Sequence, residues 1–394
     1  MKKLLNLENF TYITLIAMPA YLIRFSWNGV STNLFEIMAV ITIVLFLNRI
    51  LSSKIEPSGY GDYKTPITML LVGLLFSALY SGSNTVSWGI LKSWFIIPMV
   101  FAWAGVQVLE NKKIIKAMYY SAFGVASLAL VYFLLGQITF DGRLQAFYNS
   151  PNYLAMYLAP AIIIGIFFWR ENFIFYGPSL GVLIIAFYLT QSYAAWLAVF
   201  IALAIIWIIK KELFGWRVLA SLFLVASSFF LLQIGTTKLF NLVHATERSS
   251  ASSRLMIWSA ALKIGLDNPV LGIGPGNFQN KYLEYQKYFP PYLEWAVPQP
   301  HNLFLALWLQ AGLIGLIGFI WLLIFWFRRV MSGKGNQSEK CVYLGIMLYI
   351  LLHGLADTTY FKNDLAVVFW VVIFAINKNT TSDKVVFNKE KLRS

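Results

Sequence analysis

Few side chains in this sequence have the types and spacing to act as reagents. Arg254 lies four residues before Trp258, His301 follows Pro298-Gln299-Pro300 and precedes Asn302, and His353 lies four residues before Asp357. A neutral imidazole takes a proton near neutral pH, and a guanidinium grips a phosphate with two parallel bonds. His301 falls in the first turn of a long apolar run, where the positive end of a helix dipole disfavours the imidazolium and leaves the ring available as a base. An interfacial histidine bonded to the neighbouring loop is the plainer alternative. On a helical wheel from Ser252 to Leu266, Arg254 shares a face with Trp258, Ala261 and Gly265, while Ser259 and Lys263 point away. It therefore faces inward, the alternative being an arginine that snorkels to a membrane surface. His353 and Asp357 share a helix face, so Asp357 either orients His353 or closes a buried polar pair. Three more cations, Arg24, Lys92 and Arg143, would join Arg254 on one side of the molecule. Arg24 and Lys92 lie within apolar spans, where charge is costly and by default functional, unless they too snorkel.

These reagents need elements to position them, and composition says which. The 394 residues are 59% hydrophobic and only 12% charged, far from the roughly 45–50% apolar and about 25% charged of soluble domains. From His301 to Phe327 there are 27 residues without Lys, Arg, Asp or Glu, more than the roughly 20 that cross a hydrocarbon core. The fold class is all-α, a polytopic membrane protein forming a single membrane domain over residues 1–394. About twelve spans are expected, near 10–26, 33–50, 65–80, 86–108, 114–136, 152–169, 173–190, 192–209, 217–234, 301–327, 341–358 and 364–377. With both termini cytoplasmic, 21 of the 31 Lys and Arg fall on the cytoplasmic side, and short external loops keep only Arg143 and Lys362. The net charge of +14 is thus mostly topology, and no nucleic-acid partner is expected. The first residues, with Lys2 and Lys3 ahead of an apolar run and no cleavage pattern, read as leading into a retained first span.

One segment, residues 235–300, is too long for an ordinary connection and has the aromatic content of a folded loop. It includes Trp258, Trp295 and His244, and turns at Asn268-Pro269 and at Gly272, Gly274 and Gly276. Those glycines form either a nest of backbone N–H groups for an anion or a tight return turn. Metal chemistry has no foundation here. There is one cysteine, Cys341, no D-x-D, and the acids Asp141, Glu247, Asp267, Glu284 and Glu294 are scattered. No metal and no other cofactor is expected.

The order Arg254, Trp258, Asn268, Pro269, Gly272, Gly274, Gly276, Phe278, His301, Asn302, Gly312, Gly315 resembles the O-antigen ligase and O-antigen polymerase family, membrane glycosyltransferases that use lipid diphosphate carriers. Gly142-Arg143 followed by Asn149-Ser150-Pro151-Asn152 is similar to a second family stretch. The resemblance implies an undecaprenyl-diphosphate-linked glycan as donor, a glycan, lipid or protein as acceptor, and residence in the bacterial cell membrane with the 235–300 loop outside. It implies His301 and Arg254 as catalytic residues and Arg143 as a diphosphate ligand, with Trp258, Asn302, Gly274 and Gly276 in support; the charges within spans add Arg24 and Lys92 as diphosphate ligands, and helix spacing adds His353 and Asp357 in support. Two positions depart from the pattern: Tyr193 stands where an arginine is usual, and Gln310 where a glutamate is. Lys92 is the expected compensation for the missing arginine. A transporter on the same fold, moving an anion or a lipid-linked substrate, is the alternative, although no internal repeat of the transporter kind is present.

Overall fold

The computed structural model describes residues 6–27, 30–52, 61–82, 85–210, 216–236, 238–240, 250–290, 296–332 and 336–376. His244, Glu247, Glu294, Trp295, Lys2, Lys3 and the basic tail from Lys378 lie outside them. The described chain is a helical membrane protein. Six helices have the length and apolarity to cross a bilayer: α2 (Leu34–Leu51), α3 (Gly61–Tyr80, entered through a 3-10 turn), α4 (Thr85–Val108), α5 (Asn111–Leu134), α6 (Pro151–Phe168) and α12 (Leu303–Ser332). Shorter apolar helices are α7 (Phe173–Leu189), α8 (Tyr193–Ile209) and α14 (Asn363–Ile376), and α9 (Trp216–Leu231) and α13 (Gln337–Gly354) complete the bundle. Helices α10 (Ser250–Asp267) and α11 (Phe278–Tyr285) belong to the long loop. They bury Ile257, Ala260, Ala261, Ile264 and Tyr282 in a small core of their own, which docks on Leu309 of α12.

The expected first span over 10–26 is not one helix. Helix α1 covers Leu7–Ile16, about 15 Å at ~1.5 Å per residue, half the ~30 Å of a hydrocarbon core. Pro19 sits inside a 3-10 turn over Met18–Leu22, because proline offers no N–H to an α-helix and pushes its predecessor out of the α region. The chain then forms an antiparallel hairpin, β1 (Arg24–Trp27) with β2 (Val30–Asn33), pairing Arg24 with Asn33. The residues between the strands in the sequence are Asn28-Gly29, the dipeptide that favours two-residue hairpins. An all-α reading therefore needs this one correction.

Helix α12 is also not continuous. Gly312 has φ 64° and ψ −173°, a combination that essentially only glycine adopts. Breaking the helix there frees backbone groups that a bilayer would not satisfy. The glycine turn after α10 supplies the partners: Ile273 N–H donates to Leu309 O at 2.7 Å, and Leu313 N–H donates to Val270 O at 2.9 Å. A Cβ on Gly312 would lie 2.1 Å from Val270 O, so the splice requires glycine. Below it α12 meets α3 backbone to backbone. A Cβ on Gly73 would be 2.5 Å from Ala311 O and Gly315 N, and one on Gly318 would be 2.7 Å from Leu70 N. Such close approach gives dispersion contact where lipid provides no hydrophobic drive.

A third irregularity is the π-helical turn Leu91–Ile96 within α4. Pro98 cannot donate to Trp94 O, and the π register leaves Ser93 O free as well. Tyr360 O–H donates to Trp94 O at 2.6 Å, and Asn363 Nδ2 donates to Ser93 O at 3.2 Å. The segment between α13 and α14 is thereby bolted to α4.

Candidate functional site

The connection after α13 brings Asp357 to the centre of the site. Its carboxylate is buried, with 2% of the side chain exposed, and accepts from His301 Nδ1 at 2.8 Å, from Asn152 Nδ2 at 3.0 Å and from Thr358 N–H at 2.8 Å. Burial opposes its ionisation, but the charge and hydrogen bond of His301, with the charge of Arg254, hold the carboxyl well below the usual range. A carboxylate only accepts, so His301 Nδ1 carries the hydrogen, and in the neutral ring the lone pair is on Nε2.

His301 differs from expectation in two respects. It lies two residues before α12 rather than in its first turn, and its φ is +49°, a strained value for a residue with a Cβ. Four bonds hold it there. Trp258 Nε1 donates to His301 O at 3.1 Å. Asn302 caps α12 through Oδ1, accepting from Phe304 and Leu305 N–H at 3.0 Å each, while its Nδ2 donates to Leu355 O at 3.0 Å. The cap thus ties the histidine strand to the aspartate strand.

Arg254 faces inward from α10. Its Nη2 is 3.8 Å from Asp357 Oδ2, beyond hydrogen-bond length, and its Nε is buried with no hydrogen-bond partner among the described residues. The guanidinium is attracted to the carboxylate without being saturated by it. Arg143 approaches from the connection between α5 and α6: Nε donates to Thr190 O at 2.9 Å and Nη2 to Asn152 Oδ1 at 2.7 Å. Asn152 therefore relays between Arg143 and Asp357. Burial lowers the Arg143 guanidinium from its ordinary value, with Asp141, 3.9 Å away, opposing and Arg254 adding to the effect.

Other residues named from the sequence stand elsewhere. Lys92 is not a free cation: its Nζ lies 2.9 Å from buried Glu36 Oε2 and donates to Ser31 O at 2.8 Å. Glu36 also accepts from Thr32 Oγ1 and Asn363 Nδ2, so Lys92 belongs to a network around Glu36 and has no bond to the Asp357 cluster among the described residues. Arg24 is on strand β1, exposed, instead of inside a span. Its charge reaches Lys362, whose amine burial lowers and Asp364 raises, and Arg24 has no bond to the Asp357 cluster among the described residues. His353 is not partnered by the side chain of Asp357. It is buried in α13, with Nδ1 2.8 Å from Tyr349 Oη. The glycines are return turns and not an anion nest. Gly272, Gly274 and Gly276 have φ between +69° and +83° and press against Leu309, Ser81 and Val86 respectively, and Gly272 N–H donates to Asn268 O. Their support is mechanical.

Sequence reasoning missed Asn152 as a ligand and Lys238 altogether. Lys238 Nζ donates to Gln191 O and stands 4.6 Å from the Tyr193 ring centroid. Asn152 had a visible signal, two positions into a helix opened by Ser150-Pro151. Lys238 had none, since a lone lysine between apolar residues reads as a solvated charge. Among the described residues the three non-glycine positions with positive φ, Ala146, Gln191 and His301, sit on the connection that carries Arg143, on the turn whose carbonyl receives Lys238, and at the candidate histidine itself. Strain concentrated in this way is characteristic of positions over-determined by their surroundings.

Among known proteins, residues 178–320 match the family model described as O-antigen ligase. No curated protein matches the chain.

Proposed function

We propose that this chain, whose residues 178–320 match the O-antigen ligase family model, is a glycosyltransferase of surface polysaccharide assembly that transfers a glycan from undecaprenyl diphosphate to an acceptor hydroxyl. The observation that carries the proposal is the convergence on one buried carboxylate: His301 Nδ1 at 2.8 Å and Arg254 Nη2 at 3.8 Å from the two oxygens of Asp357. A base with a fixed tautomer therefore stands beside a guanidinium that retains unused donors. The acceptor oxygen bonds to the anomeric carbon as the bond from that carbon to the phosphate oxygen breaks. The diphosphate departs with its charge on Arg254 and Arg143, and the hydroxyl proton passes to His301 Nε2. Asp357 faces the imidazolium that results and holds its ring. A diphosphate stabilised by arginine needs no general acid and no metal. In this reading the 235–300 loop lies outside the bacterial cell membrane, and the acceptor is a glycan, lipid or protein.

His301→Gln tests the assignment. Glutamine hydrogen-bonds but takes no proton, so turnover with a lipid-linked oligosaccharide falls by roughly 10²–10⁴-fold, while donor binding persists. The assay is run in EDTA, where wild-type turnover is retained. Near-normal turnover by the variant would reduce the histidine to a packing residue. Strict dependence on a divalent ion would remove the arginine mechanism, and flux without any glycan product would favour transport.

A further inference from the structure

Lys238 opens the long loop, yet its amine is engaged by a different part of the chain, the turn between α7 and α8. Nζ donates to Gln191 O and lies 4.6 Å from the Tyr193 ring centroid. That turn is itself fixed. Tyr193 O–H donates to Gln233 Oε1 at 3.0 Å, Gln233 Nε2 donates to Tyr188 Oη at 2.8 Å, and Tyr188 stacks on Trp196 at 5.3 Å. The ring gives one face of the ammonium an electrostatic partner, and the carbonyl takes one of its three N–H donors. The remaining donors are left for something else.

Charge indicates what that is. Arg143 and Lys238 meet on consecutive carbonyls, Arg143 Nε donating to Thr190 O at 2.9 Å and Lys238 Nζ to Gln191 O, and the charges of Arg143, Asp141 and Arg254 act on the amine. Asp141 is the sole acid among them, and it already stands 3.9 Å from Arg143 with 40% of its side chain exposed. No carboxylate among the described residues pairs with Lys238. Among the described residues Arg143, Arg254 and Lys238 thus share Asp141 and Asp357, and Asp357 is committed to His301. Three partly buried cations with that deficit constitute a site for a multiply charged anion.

We propose that Lys238 is a third cation of the donor site, contacting the diphosphate beside Arg143 and Arg254, with Tyr193 and Gln191 aiming its amine. The assignment rests on the diphosphate reading above. It also gives the site a proton coupling. Burial, with Arg143 adding to it, pushes the amine down to about 7, so in the empty site it loses its proton as pH rises through that value. A bound anion restores the proton. Donor affinity therefore weakens on going from pH 6 to pH 8.

The test is binding of farnesyl diphosphate by the purified full-length protein at pH 6 and pH 8, comparing wild type with Lys238→Met, Lys238→Arg, Arg254→Ala and the surface control Lys263→Met. Lys238→Met binds roughly 10- to 100-fold more weakly at pH 6, and Lys263→Met matches wild type. Lys238→Arg binds with a flatter pH dependence, because arginine stays charged and the ionisation of the diphosphate is common to all variants. A purely structural strap between the loop and the turn would not change that slope, and the arginine variant alone decides the question should the methionine variant fail to fold. Wild-type binding and slope retained in Lys238→Met, or a slope unchanged in Lys238→Arg, overturns the assignment while leaving the donor site intact. A wild type that binds no prenyl diphosphate, with Arg254→Ala indistinguishable from it, overturns the donor-site reading and this inference together.

Discussion

Asp357→Asn separates the two tasks assigned to one carboxylate. The substitution keeps the shape of the side chain and its capacity to accept from Thr358 N–H and His301 Nδ1, but removes the charge. Unit charges 2.8 Å apart attract by about 6 kcal/mol at an effective dielectric near 20, and the neutral hydrogen bond that remains is worth about 1 kcal/mol. Part of the difference is returned because an amide is cheaper to bury than a carboxylate. A transition-state loss of about 3–5 kcal/mol remains, which is roughly 10²- to 10⁴-fold in kcat. Donor affinity moves differently. Arg254 loses the carboxylate 3.8 Å from its Nη2, so the site becomes more positive and prenyl diphosphate binds at least as tightly as before. The assay pairs single-turnover glycan transfer with equilibrium binding on the same reconstituted sample. A kcat within about threefold of wild type, or a loss of donor binding as large as the loss of kcat, refutes the role of Asp357 as partner of the base.

Gly312→Ala places a Cβ 2.1 Å from Val270 O and imposes a backbone conformation that costs an alanine roughly 1–3 kcal/mol before any clash. A clear drop in Tm in detergent and a loss of turnover are expected together, since the spliced turn connects α10 to α12 and so Arg254 to His301; an unchanged Tm means the kink does not hold the loop. Gln279 is exposed on α11, and the native Cys341 is buried, with 1% exposure. Gln279→Cys should accordingly be labelled by an impermeant maleimide added to intact cells, whereas labelling only from the cytoplasmic side inverts the topology and with it the location of the site.

Most of the scaffold was legible in the sequence because apolar run length and helix period are local properties. The runs later seen as α2, α4, α6 and α8 needed nothing beyond sustained apolar length with at most two charges in each, and the inward face of Arg254 followed from 3.6-residue periodicity along α10. The hairpin of β1 and β2 was also written locally, in Pro19 and Asn28-Gly29, but lay hidden beneath an apolar run long enough to pass for a span. The break in α12 was less accessible: Gly312 in an apolar stretch is equally compatible with a straight helix, and only the carbonyl of Val270, some forty positions earlier in the chain, makes the break tolerable.

What the sequence determined by itself is the class of the protein and the candidates for its reagents, because composition sets the solvent in which the chain is stable and arginine and histidine carry their chemistry wherever they are placed. The pairing of those reagents was decided by tertiary structure. Asp357 is four residues from His353 and fifty-six from His301, yet it bonds the latter, because α13 ends at Gly354 and the chain turns away from the helix face that would have joined the nearer pair. Lys92 and Lys238 show the same physics with opposite results. Each is an isolated lysine in apolar surroundings, and only the fold placed buried Glu36 against the one and an aromatic ring against the other. Burial makes a charge take whatever partner lies within a few ångströms, and distance along the chain does not determine that partner.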